Sequence, residues 1–332
     1  MSWLVWRQYR TSTAITGVLI GLFAVLLVIT GLRMASQFHA TFGACLAAHN
    51  CRFPADDAGL VSGWLGAVVE FSLAVPAILG MFLGAPAVAR EAETGTAHFA
   101  WTQAVTRRHW LTVKTGWLLL AALAWGGAAG ALVTWWSGPR NAIALSQFNP
   151  GTFDIEGIMP AAYSVFAMAL GIAAGTLIRR VLPALGVTLG VFFAVRLVIM
   201  GWVRQHYMTP VTAIYNITMG NIPLPKGAAW VLGQGFRGPN GPLAVPGGSQ
   251  VPMVADGFPA ADIPAACRAY FTQGPGQDPL LPCLSSHGYA QYITYQPAAR
   301  YWPFQFIEAG IFVALAAVLI AVAFAVINRR DA

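Results

Sequence analysis

The sequence predicts an all-α polytopic membrane protein with six transmembrane helices. Hydrophobic residues make up 57% of the 332-residue chain and charged residues only 9%, whereas soluble globular domains carry about 25% charged residues. Six apolar stretches reach the length of about 18 residues that a helix needs to cross a bilayer. Basic residues lie just outside these stretches, where membrane surfaces favour them. The composition therefore disfavours a large soluble protein with an apolar core.

The first three predicted spans are long apolar runs. The first, AITGVLIGLFAVLLVITGLRM, is too long for the apolar region of a signal peptide, and no small-residue cleavage site follows it cleanly. We therefore expect this run to be retained as a helix. The second span contains Glu70 and Pro76, and the third contains no charged residue.

The last three predicted spans are marked by residues at their ends. Pro160 lies near the start of the fourth, and a tight turn at Arg179 and Arg180 separates it from the fifth. Asn328 and two arginines follow the sixth. In residue numbers, the six spans are about 14–34, 64–85, 115–136, 159–178, 181–203 and 304–327.

The distribution of basic residues predicts the orientation. The regions before the first span, between spans 2 and 3, between spans 4 and 5 and after the last span are the more basic. The positive-inside rule then places both termini in the cytoplasm. Richness in Ala and Gly with only two lysines is typical of a GC-rich bacterial genome, so the predicted location is the bacterial plasma membrane. The basic residues on the predicted inner side are Arg7, Arg10, Arg90, Arg107, Arg108, Lys114, Arg179, Arg180, Arg329 and Arg330.

This topology divides the chain into three parts. Residues 1–203 hold the first five spans with a cytoplasmic loop at 86–112, residues 204–303 form a large external loop, and residues 304–332 hold the sixth span and a cytoplasmic tail. The external loop is rich in Gly, Pro and aromatic residues, a composition typical of turns and irregular structure. We expect a small ordered cap there, because Trp230, Phe236, Tyr270 and Phe271 require burial.

The four cysteines all lie in predicted external loops, two in each. Because disulfides persist in oxidising compartments, local pairing predicts Cys45–Cys51 and Cys267–Cys283. Four cysteines allow three pairings, and free thiols are the alternative hypothesis.

The sequence contains none of the motifs that would indicate catalysis. A G-x-x-x-x-G-K-[ST] phosphate loop, an H-E-x-x-H zinc pair and a G-x-S-x-G nucleophile elbow are all absent. The six histidines are scattered over loops and helix ends. We therefore expect no catalytic residue, no metal site and no cofactor in this chain.

The segment GAPAVAREAETGTAHFAWTQAVTRRHWLTVKTGW between spans 2 and 3 is the most informative. It is too charged to lie in the bilayer. Residues 85–93 are expected to continue the second helix, and Thr94-Gly95-Thr96 is expected to end it. One hypothesis is an amphipathic connector that anchors the third helix to the membrane surface. The other is a site of contact with a partner protein.

This segment resembles the permease subunits of ABC-2 type ABC transporters, in their actinobacterial form. The similarity covers residues 1–210 and the last helix, and it is poor over 211–300. Further matching positions include the Trp6–Arg10 segment, Trp135-Trp136, Phe153-Asp154, Tyr163 and Trp202-Val203-Arg204. The residues of the segment that carry the resemblance are Gly84, Ala85, Pro86, Ala89, Arg90, Glu91, Glu93, Gly95, Thr96, Trp101, Thr102, Gln103, Val105, Thr106, Arg107, Arg108, Trp110 and Lys114.

The resemblance implies an assembly. Two permease chains would pair as a homodimer, and each would dock an ATP-binding ABC subunit that holds ATP and Mg. Residues 2–11 would form an interfacial elbow helix. The loop at 86–112 would couple the permease to the ATPase, and the other expected partners are membrane lipid and a hydrophobic small-molecule substrate, with no nucleic acid. The coupling candidates are Arg90, Glu91, Glu93, Gly95, Thr96, Arg107 and Arg108.

Apart from Arg33 at the end of the first span, three charged residues lie within predicted spans: Glu70, Arg196 and Glu308. A charge near the bilayer centre costs roughly 2.5–3.5 kcal/mol on insertion scales. Pairing Arg196 with Glu70 or with Glu308 would remove most of this cost. The pair could serve as a polar spot on a transport path or its outer gate, or it could only hold helices together.

The function predicted is that of a permease subunit of an ATP-driven ABC-2 exporter, which moves a hydrophobic or amphipathic compound such as a drug, antibiotic or lipid-like molecule out of the cell. Hydrolysis of ATP is expected in the separate partner, so this chain is not itself an enzyme. Two alternatives remain. One is a non-transporting anchor or sensor for an ATPase, and the other is a membrane-bound enzyme with an external site.

Overall fold

The computed structural model describes residues 17–18, 21–33, 35–36, 68, 71–94, 107–141, 148, 150–217, 228–242, 264–268 and 280–330. The chain divides into two units. The first comprises Met1–Ala144, Asn149–Tyr207 and Trp302–Ala332, and its described part is helical. The second comprises Leu145–Phe148 and Met208–Tyr301, and it carries a β-sheet.

The described residues are mostly helical, and five of their helices are long and apolar enough to cross a membrane. These five are α2, α3, α5, α6 and α8, whereas α1 is shorter. The helices in chain order are α1 (Gly21–Arg33), α2 (Phe71–Glu93), α3 (Arg107–Asn141), α4 (Pro150–Phe153), α5 (Met159–Ile178), α6 (Val181–His206), α7 (Leu280–Ser286) and α8 (Tyr301–Arg330).

The five long helices correspond to the second to sixth predicted spans. Helix α1 lies inside the first predicted span, at 14–34. The count of six membrane spans and the elbow helix at 2–11 remain predictions, since residues 1–16 lie outside the described part of the chain. The expected bounds of the fourth span agree with those of α5.

Helix α2 continues beyond its predicted span and ends at Glu93, the end predicted from the break at Thr94-Gly95-Thr96. Its last segment is Ala85–Glu93, and the Thr94 N–H donates to the Arg90 carbonyl at 3.0 Å. Helix α6 also extends beyond its predicted span, through a wide π-helical turn at Ile199–Val203 and a 3-10 turn at Arg204–His206. The extension keeps Arg204 within the helix.

Arg179 and Arg180 make the turn between α5 and α6. Arg179 has φ 57° and ψ 13°, the left-handed conformation that most side chains avoid. Its N–H donates to the Gly175 carbonyl at 3.1 Å and thereby satisfies the end of α5. The next residue, Arg180, is extended and caps the start of α6 at Val181.

Helix α5 lies inside the helical unit. Its most apolar 18-residue window is 78% buried, compared with 28% for α6 and 22% for α8. Small residues let neighbouring backbones approach it. A Cβ added at Gly171 would lie 2.2 Å from the Gly80 carbonyl oxygen, and one added at Gly175 would lie 2.4 Å from the Ala85 carbonyl oxygen. Such approaches favour association of helices in membranes.

Two adjacent glycines of α3 provide a matched test of this packing. A Cβ at Gly126 would lie 2.6 Å from both the Pro160 carbonyl and the Ser164 hydroxyl oxygen, whereas nothing lies within 4 Å of a Cβ at Gly127. Gly126→Ala is therefore expected to lower the free energy of unfolding by about 1–3 kcal/mol, as overpacking does. Gly127→Ala is expected to be neutral or slightly stabilising. Thermal unfolding of both variants in detergent measures the difference, and equal midpoints would contradict the close approach of α3 and α5.

The second unit contains a four-stranded antiparallel sheet in the order β1-β4-β2-β3. Phe236 of β2 and Ile293 of β4 are buried, and the Trp230 ring stacks on Phe148 with centroids 6.1 Å apart. The strands are β1 (Val211–Tyr215), β2 (Ala228–Gly238), β3 (Gly241–Pro242) and β4 (Ala290–Pro297).

The all-α prediction is wrong for this segment, which the sequence analysis interpreted as turns and irregular structure. Strand β2 contains Gly233, Gly235 and Gly238, and glycine is depleted in strands. Pairing with β4 outweighs that local preference, with register shifts near Ala228 and Val231. The expected burial of Phe236 is observed, while Tyr270 and Phe271 lie outside the described residues.

Candidate functional site

Charged side chains of the helical unit meet at two separate places. At one, which we call the Glu93 end, α2 and α5 end while α3 and α6 begin. At the other, which we call the Glu308 end, α5 begins, α6 ends and α8 begins. The Glu308 end holds a group of charged and hydroxyl side chains that we call the buried ionic cluster. Its members are Asp154, Tyr163, Arg196, Arg204 and Glu308.

Arg204 is the centre of the buried ionic cluster. Its Nε donates to Glu308 Oε2 and its Nη2 to Glu308 Oε1, both at 2.7 Å. The same Nη2 also contacts Asp154 Oδ1. Two parallel donations from a guanidinium to one carboxylate give strength and fix orientation. Arg204 therefore holds α6 to α8 and to the segment before α5.

Arg196 is the second cation of the cluster. Its Nη2 donates to Asp154 Oδ2 at 2.8 Å, and its guanidinium lies 4.7 Å from the centre of the Tyr163 ring. Its Nη1 donates to the backbone carbonyl of Leu73 in α2 at 3.1 Å. One side chain of α6 thus contacts α2, α5 and the Asp154 segment.

The cluster is balanced in charge. Arg196 is 6% exposed, Arg204 1%, Asp154 3% and Glu308 0%. An isolated buried ion is unfavourable by several kcal/mol, and a hydrogen-bonded partner of opposite charge offsets that cost. Two arginines facing two carboxylates satisfy this requirement. The Tyr163 hydroxyl lies 2.8 Å from Glu308 Oε1 and 3.1 Å from Asp154 Oδ1. It acts as a hydrogen-bond donor to these two carboxylate oxygens.

Tyr207 completes the surroundings of Glu308 just beyond the end of α6. Its hydroxyl donates to Glu308 Oε2 at 3.3 Å. Burial, followed by the charge of Glu308, raises the pKa of Tyr207 well above its ordinary value. The phenol therefore stays protonated at neutral pH and acts as a donor.

The structure brings together two of the three predicted intramembrane charges but pairs them differently. The expected pairing of Arg196 with Glu308 is wrong, because Arg196 pairs with Asp154 and Glu308 pairs with Arg204. Glu70 lies outside the described residues. Arg204 was not predicted to belong to this cluster, because its position falls on the flank after the fifth predicted span. Its spacing of eight residues from Arg196, which favours one helix face, is the signal that would have found it.

At the Glu93 end, an ion pair joins Glu91, inside the predicted coupling loop at 86–112, to Lys114 just after it. Lys114 Nζ of α3 donates to Glu91 Oε1 of α2 at 2.6 Å. The Lys114 side chain is 1% exposed and that of Glu91 is 14% exposed. The ammonium also lies 4.8 Å from the centre of the Trp110 ring, a cation–π distance. The pair fastens the end of α2 to the start of α3.

Glu93 fastens the same end of α2 to α6. Its Oε2 accepts a hydrogen bond at 3.1 Å from the N–H of Val181, the first residue of α6. The first N–H groups of a helix lack partners within the helix and attract negative charge. Ala85, Ala89, Ala174 and Ala184 pack beside this contact as a buried cluster. The end of α2 is therefore held by three neighbouring helices.

The predicted coupling residues fall into two groups. Glu91, Glu93 and Arg108 contact other helices of the same chain, whereas Arg90 is an exposed arginine beside them; the side chains of Glu93 and Arg108 are also exposed. Arg108 Nε donates to Asn328 Oδ1 of α8 at 3.3 Å. Gly95, Thr96 and the side chain of Arg107 lie outside the described residues. The exposed arginines of this end are Arg90, Arg108, Arg179, Arg180 and Arg329.

The cysteines of the second unit form the predicted pair. Cys267 and Cys283 are joined in a disulfide that connects a 3-10 turn to α7. His287 Nδ1 lies 3.8 Å from Cys267 Sγ and 2.8 Å from the Cys283 carbonyl oxygen. Cys45 and Cys51 lie outside the described residues, so their pairing stays a prediction.

Comparison with known proteins identifies a family. A family model described as ABC-2 membrane transporter related matches residues 17–204, which is more than half of the chain. No curated protein and no solved structure matches the chain. The match includes helices α1 to α6 and four members of the buried ionic cluster, and it excludes Glu308 and the β-sheet.

Proposed function

Because the chain belongs to the ABC-2 membrane transporter related family, we propose that it is the permease subunit of an ATP-driven exporter whose ATPase is a separate chain. Members of this family are multi-pass membrane proteins that work with an ATP-binding ABC partner. The proposed complex lies in a bacterial plasma membrane, with both termini of this chain in the cytoplasm. Two copies of the chain pair to form the path for the substrate.

One observation supports this function best: the end of α2 is held to α3 and α6 beside exposed arginines. The Glu91–Lys114 pair and the Glu93–Val181 hydrogen bond fix α2 on two neighbours. Arg90 and Arg108 lie exposed next to them. A partner that binds here with acidic groups would move several helices together. Charge complementarity of this kind fixes the register and choice of partner.

The proposed mechanism assigns mechanical rather than chemical steps to this chain. The partner subunit binds ATP and Mg, and its closure displaces the Glu93 end. The helices transmit that displacement to the Glu308 end, where the buried ionic cluster holds α6, α8 and the start of α5. Rearrangement of the helices there opens the path to the other side of the membrane. Hydrolysis of ATP in the partner resets the complex.

The proposed substrate is a hydrophobic or amphipathic compound, such as a drug, an antibiotic or a lipid-like molecule. The charged residues described in the helical unit are either compensated within the protein, as in the buried ionic cluster, or placed near helix ends. Large exposed apolar residues, including Trp117, Leu123 and Leu197, line the outer faces of the helices instead. A path between such helices suits an apolar cargo, and the direction of export follows the family resemblance.

Reconstitution tests the proposed function. The chain is co-expressed with a candidate ATP-binding ABC subunit from the same organism and purified. The complex is placed in liposomes, and uptake of a panel of amphipathic dyes and antibiotics is followed with and without ATP. ATP-dependent transport that vanishes with a hydrolysis-deficient partner is expected. A bound ATPase without any transport would instead indicate an anchor or sensor, and conversion of a compound by this chain alone would indicate an enzyme.

A charge reversal at the Glu93 end sharpens that test. Arg90→Glu is expected to weaken binding of the ATP-binding subunit by about tenfold, which corresponds to about 1.4 kcal/mol. Arg268→Glu, at an exposed position in the second unit, serves as the matched control and is expected to leave binding unchanged. Equal affinity of both variants for the ATPase would contradict docking at the Glu93 end.

A further inference from the structure

Helix α2 contains two interruptions of regular α-helical structure. Pro76 lies inside the helix and has no N–H to donate to the carbonyl of Ser72, four residues earlier. The Ser72 hydroxyl is buried without a hydrogen-bond partner and lines a small cavity together with Pro76 and Ser164. One turn further, Gly80–Gly84 forms a wide π-helical turn. Turns of this kind occur frequently at functional sites.

The two parts of α2 on either side of the wide turn are attached to α6 at different points, one at Val181 and the other at Arg196. The Ala85–Glu93 part is fastened to α3 through Glu91 and to α6 through Glu93. The part before Gly80 is fastened elsewhere, since the Leu73 carbonyl accepts a hydrogen bond from Arg196 Nη1 at 3.1 Å. Arg196 also pairs with Asp154. Thus one part of α2 is connected to the Glu93 end and the other to the buried ionic cluster.

The wide turn itself rests on the backbone of α5. A Cβ at Gly80 would lie 2.3 Å from the Ala167 carbonyl oxygen, and a Cβ at Gly84 would lie 2.8 Å from the Met168 carbonyl oxygen. Helix α5 is the most buried of the long helices. The wide turn is therefore held against α5 between two arms, which are attached to α6 at Val181 and at Arg196.

We propose that Gly80–Gly84 is the joint about which α2 bends during the transport cycle, and that Arg196 is the positioning residue that holds the Pro76 arm to the buried ionic cluster. This inference rests on the proposed function. Displacement of the Glu93 end by the ATPase moves the Ala85–Glu93 arm together with α3 and α6. The Pro76 arm then changes its angle against α6, and release of the Arg196–Leu73 hydrogen bond transmits the bend to Arg196 and its partner Asp154. The joint thereby couples movement at the Glu93 end to movement at the Glu308 end.

Two conservative variants separate this role from a purely structural one. Arg196→Lys keeps the positive charge beside Asp154. A single ammonium nitrogen cannot donate to both Asp154 and the Leu73 carbonyl as the two Nη atoms of a guanidinium do. Pro76→Ala restores an N–H in the interior of the helix and is expected to raise the thermal unfolding midpoint. Both variants are expected to bind the ATP-binding subunit normally and to transport about tenfold more slowly, a size typical of coupling between sites.

Distances between spin labels in the full complex test the bend directly. Cysteines replace Phe71 and Leu197 for the Pro76 arm, and Thr94 and Leu182 for the Glu93 arm, in a Cys45→Ser, Cys51→Ser background. Between the nucleotide-free and ATP-trapped states, the first distance is expected to shift by several ångström and the second to stay constant. Arg196→Lys is expected to broaden the first distance.

The outcomes distinguish the inference from the proposed function. If the wild-type complex transports but the first distance stays constant, or if Pro76→Ala transports at the wild-type rate, the joint is refuted while the permease function stands. If the chain neither binds the ATP-binding subunit nor transports, the proposed function itself is refuted, and the joint is refuted with it. Parallel changes in both distances would also refute the joint, because the two arms would then move as one body.

Discussion

Replacing Arg204 with methionine is expected to lower the free energy of unfolding by about 3–5 kcal/mol, the range observed when one partner is removed from a buried ion pair. Arg204 is 1% exposed and donates to both Glu308 and Asp154. Methionine preserves most of the apolar volume but leaves Glu308, which is 0% exposed, without an arginine beside it. Asp154 keeps Arg196. The thermal unfolding midpoint of the purified protein in detergent measures the loss.

A second substitution shows whether the loss arises from an uncompensated charge. Glu308→Gln in the Arg204→Met background removes the carboxylate that has lost its arginine, and it is expected to recover most of the stability. Arg33→Met, at an exposed position in α1, is the matched control and is expected to change stability by no more than about 0.5 kcal/mol. An Arg204→Met protein as stable as the wild type would contradict the assigned role of the cluster.

Replacing Lys114 with methionine is expected to reduce ATP-driven transport by about tenfold and to lower the free energy of unfolding by about 3 kcal/mol. The Lys114 side chain is 1% exposed and Glu91 is its partner at 2.6 Å. Without the ammonium, α2 and α3 lose the ion pair that joins them at the proposed docking end. The measurements are the unfolding midpoint and the transport rate of the reconstituted complex.

Variants that keep the pair in another form serve as controls. Lys114→Arg retains a cation and is expected to preserve most of the transport. Glu91→Lys combined with Lys114→Glu exchanges the charges and is expected to recover part of the loss caused by either change alone. A double-mutant cycle gives the interaction energy of the pair. Full transport by Lys114→Met would show that the ion pair takes no part in coupling.

The balanced charge of the cluster also limits what it can do. Two arginines and two carboxylates leave no net charge, so the cluster itself offers no uncompensated charge to an ionic substrate. Charges that compensate one another can instead exchange partners when helices move. Arg196 has contacts with α2, α5 and Asp154, so a shift of α2 would act on the cluster through this residue.

The site was only partly predictable from the sequence. Arg196 and Glu308 stand out because a charge within an apolar run is unusual, and both lie in the buried ionic cluster. Asp154 and Arg204 do not stand out, because each lies next to a predicted span where charges are common. Their burial depends on the extension of α6 through its wide turn and on the fold of the segment before α5. Neither the wide turn nor the fold of that segment has a local signal in the sequence, and the eight-residue spacing of Arg196 and Arg204 is the one hint that both lie on one helix face.

Local properties of the sequence determined the five long apolar helices and the end of α2 at Glu93, and they favoured the pairing of Cys267 with Cys283. Apolar length, a break at Thr94-Gly95-Thr96 and cysteine proximity each depend on neighbouring residues, so they can be interpreted without a fold. Only the tertiary structure decided which acid meets which arginine, because Arg196 and Arg204 lie 42 and 50 residues from Asp154 and Arg204 lies 104 residues from Glu308. It also decided that glycine-rich Ala228–Gly238 forms a strand, since the hydrogen bonds that stabilise it come from Ala290–Pro297 far along the chain. Contacts over such separations depend on how whole helices and strands pack, and no short stretch of sequence carries that information.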